Sequence, residues 1–185
     1  MTTFTPSELK VIEEKQQELR AKLSAQRQAK PSSAVFKEHE TWLDFIDKTC
    51  PQLYLETDFC SFSPDGSLQD PTLFRPACFV HDLFYRYGHI YAKDVTQKKA
   101  DELLRDYMKE TGHEELAKLY YTALDMFGHV QWNNWRSQKP VESKQSTVCQ
   151  CHDKQKSNSS NLWTVASLTL VGVIAAVAIV AAIRK

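Results

Sequence analysis

Cys78-Phe79-Val80-His81-Asp82 sets an imidazole directly beside a carboxylate, on what the surrounding pattern marks as a helix. Just upstream, Thr57-Asp58-Phe59-Cys60-Ser61-Phe62-Ser63-Pro64-Asp65 reads as an acidic loop rich in Ser. On a helix, neighbouring side chains diverge by about 100 degrees, so His81 and Asp82 cannot share one task. With Asp82 turned back toward Asp58, two carboxylates and backbone carbonyls would suit a hard cation, Ca²⁺ first among them. His81 would then face a cleft as a general base. A carboxylate from the following helix should hold its far nitrogen, fix the tautomer and stabilise the imidazolium formed on proton abstraction. Asp101 can reach it across a turn near Gly88, and Glu102 and Asp106 are alternatives that position alone does not eliminate.

These residues resemble the small secreted phospholipases A2 of the bacterial and fungal type. Their pattern runs roughly Asp-Gly-Cys-Ser-x-Ser-Pro-Asp, then Phe-x-Pro-x-Cys-x-x-His-Asp-x-x-Tyr. The second half is matched by Phe74-Arg75-Pro76-Ala77-Cys78, His81-Asp82 and Tyr85. The resemblance spans residues 36–135 and implies a helical domain that hydrolyses the sn-2 ester of glycerophospholipids. It implies His81 and Asp101 as the catalytic pair, and Asp58, Phe59 through its carbonyl, and Asp82 as calcium ligands. It also implies a bond between Cys60 and Cys78 that ties the metal loop to the catalytic helix. The family's usual Gly after the loop Asp is Phe59 here, which strains the backbone if φ is positive there. No Gly-x-Ser-x-Gly elbow is present, as expected of an enzyme in which water is the nucleophile.

With 185 residues, 42% of them hydrophobic, the chain has room for one core with appendages. Lys and Arg total 23 and Asp and Glu total 23, so no global field points to nucleic acid. The expected fold is all-α, with no convincing strand pattern. Thr5-Pro6-Ser7-Glu8 is a capping box with Pro at the first helical position, opening a helix that runs to about residue 30, before Pro31. Its narrow stripe of Leu9, Ile12, Leu19 and Leu23 is expected to give an extension, residues 1–34, for a helix partner or self-association through residues 7–30. The phospholipase-like domain is assigned to residues 35–138. Its helices are expected over residues 35–48, 72–87, 95–111 and 113–135, with Gly88 and Gly112 as stops and residues 51–71 as a loop.

Residues 139–161 are polar and aperiodic and read as a stalk. Residues 162–183 contain no charge and end before Arg184-Lys185; as a helix of about 33 Å they would span a bilayer as a tail anchor. The N-terminus lacks the apolar run of a secretory signal. The domain is therefore expected to face the cytosol, with the mitochondrial outer membrane favoured over endoplasmic reticulum or peroxisome. Cys149 and Cys151 are candidates for acylation beside the membrane. The competing expectation is an inactive, membrane-tethered phospholipase-like protein that binds lipid or a protein partner.

Overall fold

The computed structural model describes residues 4–60 and 64–137. The stalk, the apolar segment 162–183, Cys149 and Cys151, and Ser63 of the loop lie outside the described residues. Within them the chain is all-helical, without strands, in the order α1 (Pro6–Ala29), α2 (Ala34–Thr49), α3 (Leu53–Glu56), α4 (Arg75–Tyr91), α5 (Gln97–Glu110) and α6 (Glu114–Arg136). None of these helices is long and apolar enough to cross a membrane.

Local chemistry sets most of the boundaries. Thr5 accepts from the Glu8 amide at 3.3 Å while the Glu8 carboxylate accepts from the Thr5 amide at 2.8 Å, so both halves of the capping box form and Pro6 follows at the first turn. Ser33 and Thr96 cap α2 and α5 through their hydroxyls alone, accepting from the Phe36 and Lys99 amides. At the end of α5, Gly112 takes φ of +86°, its amide bonds the Lys109 carbonyl at 2.9 Å, and the next amide bonds the Met108 carbonyl at 3.0 Å. That is the left-handed turn that satisfies otherwise unpaired carbonyls and favours glycine.

Gly88 behaves differently from the stop expected of it. α4 continues through it to Tyr91, and a Cβ there would come within 3.1 Å of the Arg136 guanidinium. Gly88 therefore admits the end of α6 against α4 rather than ending the helix.

α4 runs through the middle of the core, burying Phe79, Val80, Leu83 and Phe84 against α2, α5 and α6. The five residues between Tyr91 and Gln97 turn the chain so that α5 lies against α4 and brings Asp101 beside His81. α1 departs from its expected place outside the core. Ile12, Leu19 and Leu23 are buried, with Leu19 0% exposed, and α1 packs on α2, α3 and α4. Only Leu9 of the four-residue stripe stays open, at 51%. Gln16, which interrupts that apolar stripe, donates to Asp47 of α2 at 3.0 Å. The side of α1 that would have served a partner helix is thus already used within the chain.

Candidate active site

His81 and Asp101 meet as the resemblance implies, with Nε2 of the ring 2.7 Å from Asp101 Oδ1. Asp101 is 3% exposed and is the hub of a small network. The Tyr85 hydroxyl donates to the same oxygen at 2.8 Å, and the Gln97 amide donates to the other at 3.3 Å. A buried carboxylate needs such donors, since an unpaired one would bear the full penalty of desolvation. The alternatives lie elsewhere: Asp106 is 2.8 Å from Arg105, and Glu102 acts on that same guanidinium. With Nε2 committed to Asp101, Nδ1 is the ring atom left to take a proton, and the side chain keeps 12% of its surface open.

Tyr85 sits one turn after His81 on α4, its ring centroid 4.3 Å from the imidazole and tilted by 32°. Burial first, and the Asp101 charge second, push the phenol far above its ordinary range, so it stays a donor. Room for it comes from α6. A Cβ on Gly128 would lie 2.6 Å from the Tyr85 hydroxyl and 2.9 Å from the Gln97 amide nitrogen. Only a residue without a side chain lets α6 approach the network so closely. Nothing in the sequence marks Gly128 except that it is a glycine inside a helix.

The loop before α4 is fastened to it. Cys60 and Cys78 form the disulfide implied by the resemblance, with Cα atoms 5.0 Å apart. Phe59 alone among described non-glycine residues has a positive φ, +60°. This backbone costs an L-residue about 1–2 kcal/mol and must be held in place by its surroundings. Thr57 is one such support, accepting from the Phe59 amide at 2.9 Å while donating to Asp82 Oδ2 at 2.7 Å. Asp65 is another, accepting from the Cys60 amide at 3.2 Å and from Arg75 at 2.8 Å.

Asp82 is buried, and burial raises its pKa to about 6 against the opposing pull of Arg86 and the Thr57 hydroxyl. Asp58 is on the rim, its side chain 63% exposed. The two carboxylates converge on one cation: Arg86 Nε is 3.7 Å from Asp82 and its Nη2 is 3.5 Å from Asp58. Among the described residues no group of three or more His, Cys, Asp or Glu side chains is placed to hold a metal ion. A metal ion would rest on Asp58, Asp82 and the Phe59 carbonyl.

Two carboxylates and a backbone carbonyl are oxygen donors of the kind a hard cation such as Ca²⁺ takes. Arg86 would compete for the same carboxylates. Arg86, Thr57, Gln97 and Gly128 were not singled out by the sequence reading, because their roles come from what α4, α5 and α6 bring together.

Comparison of the chain with protein-family models, with curated proteins and with solved structures finds no match.

Proposed function

We propose that the domain hydrolyses the sn-2 ester of glycerophospholipids, releasing a fatty acid and a lysophospholipid, as the resemblance to bacterial and fungal phospholipases A2 implies. The observation that carries the reading is the 2.7 Å contact between His81 and a buried Asp101 that is itself fixed by Tyr85 and Gln97. His81 Nδ1 takes a proton from water as the water oxygen attacks the ester carbonyl. Asp101 stabilises the resulting imidazolium and keeps Nε2 protonated. When the tetrahedral intermediate collapses, the same nitrogen returns the proton to the departing glycerol oxygen. Asp58, Asp82 and the Phe59 carbonyl would hold Ca²⁺, which would supply positive charge for a phosphate oxygen and for the developing oxyanion. Residues 162–183 would keep the domain on its substrate membrane, with the mitochondrial surface favoured.

A second reading is a tethered lipid or protein binder without catalysis, favoured by Arg86, whose guanidinium already answers both carboxylates. Fatty-acid release from phosphatidylcholine vesicles by the full chain, with calcium and with chelator, separates the two. His81→Ala leaves Asp101 its Tyr85 and Gln97 donors, so the fold survives and release falls by about 10²–10⁴-fold. Equal release by the variant and the parent protein refutes the enzyme. Full release in chelator refutes the calcium requirement.

A further inference from the structure

α1 carries Lys15, Glu18 and Lys22, which at spacings of three and four fall on one stripe of the helix. Each reaches a different point of the segment that leads into α4. The Lys15 ammonium donates to the Tyr54 carbonyl at 2.7 Å and to the Thr57 carbonyl at 3.2 Å. Glu18 accepts from Arg75 at 2.6 Å, and Arg75 in turn holds Asp65 at 2.8 Å. Lys22 lies 2.7 Å from Asp70.

The same stripe explains how a phenylalanine tolerates the left-handed backbone at position 59. Its buried ring has the Lys15 ammonium 5.3 Å and the Arg75 guanidinium 4.8 Å from its centroid, with the Phe79 ring 6.3 Å away. Two cations beside one aromatic ring favour this placement of the side chain, and with it the turn. From Thr57, where Lys15 grips the carbonyl, the side-chain hydroxyl continues to both the Phe59 amide and Asp82. One ammonium therefore controls the backbone beside the candidate cation ligands.

We propose that Lys15 is a positioning residue of the site, and that α1 is the strut that fixes the Tyr54-to-Cys60 backbone in register with Asp82. The catalytic half of this inference rests on the phospholipase reading above; the mechanical half does not. The test uses the full chain and three variants: Lys15→Met, which keeps the aliphatic stem, Lys15→Arg, which restores a donor, and Lys10→Met, a control on the outer side of α1 that pairs only within the helix.

Amide hydrogen exchange is followed by mass spectrometry without added metal, and turnover on phosphatidylcholine vesicles with calcium. Lys15→Met should raise exchange across residues 57–60 by about tenfold or more while α4, α5 and α6 keep their protection. It should lower kcat by about tenfold with KM little changed, a loss that misplacement of reacting groups produces. Lys15→Arg should recover most of both, and Lys10→Met should match the parent. The proposal is overturned if Lys15→Met exchanges like the parent at 57–60, if the whole domain loosens in step, or if Lys15→Arg is as impaired as Lys15→Met. A parent protein that releases no fatty acid fails the phospholipase reading, and the exchange pattern then decides the role of Lys15 by itself.

Discussion

Replacing Gly128 with Ala sets a small gain in helix propensity against a larger packing cost, and the structure decides the sign. In an open helix the change stabilises by about 0.5–1 kcal/mol, since Gly is the poorer helix former. Here the added methyl would sit 2.6 Å from the Tyr85 hydroxyl and 2.9 Å from the Gln97 amide nitrogen. Tyr85 cannot easily yield, because its ring lies on His81 at 4.3 Å and edge-on to Trp132 at 5.1 Å. Overpacking of this kind costs about 1–3 kcal/mol, and loosening a hydrogen bond to a charged group adds about 1.5–3 kcal/mol. The expected net destabilisation is about 1.5–5.5 kcal/mol after the helix gain is subtracted. Urea unfolding of Gly128→Ala beside the parent protein measures it directly. On the phospholipase proposal, fatty-acid release should fall as well, because the displaced phenol no longer steadies Asp101. A variant that is more stable than the parent would falsify the packing argument, since helix propensity would then be the whole effect.

Leu19→Ala should destabilise by about 2–5 kcal/mol in the same assay, because the side chain is 0% exposed; a loss under about 0.5 kcal/mol would mean that α1 does not share the core. Asp82 predicts a pH dependence. Its folded pKa of about 6 lies above the ordinary value of 3.8, so the native state binds the proton more tightly. The resulting stability is fully present below the unfolded pKa and is lost as pH rises through the folded one. Between about pH 7.5 and about pH 5, in chelator, the parent should gain roughly 1 kcal/mol relative to Asp82→Asn. Parallel profiles for the two proteins would show that Asp82 does not titrate this way.

Punctuation is legible in the sequence wherever the deciding interaction is local, as at the Thr5 capping box and the Gly112 turn. Position alone leaves Asp101, Glu102 and Asp106 open as partners of His81, and the resemblance singles out Asp101, which the fold brings to the ring. Gly88 was misread because a glycine near a helix end signals a stop equally well as a close approach, and only the position of Arg136 separates the two. α1 was misread for a related reason. Its apolar stripe is narrow because Lys15, Glu18 and Lys22, which look like a solvated face, are directed at the carbonyls and ions of the loop. Charge in a sequence does not say whether its partner is water or another segment of the same chain. Arg86 was passed over for that reason too, since Asp58 and Asp82 become its common partners only when the loop folds back on α4.

The bond between Cys60 and Cys78 makes the architecture sensitive to the medium around it. It closes a circuit of 18 residues, and opening it would return to the denatured chain entropy worth about 3 kcal/mol. Surroundings rich in glutathione favour the opened form, whereas the lumen of the secretory route favours the closed one. One polypeptide would accordingly behave as two materials on opposite faces of a bilayer: slack in the first setting, cinched and ready in the second.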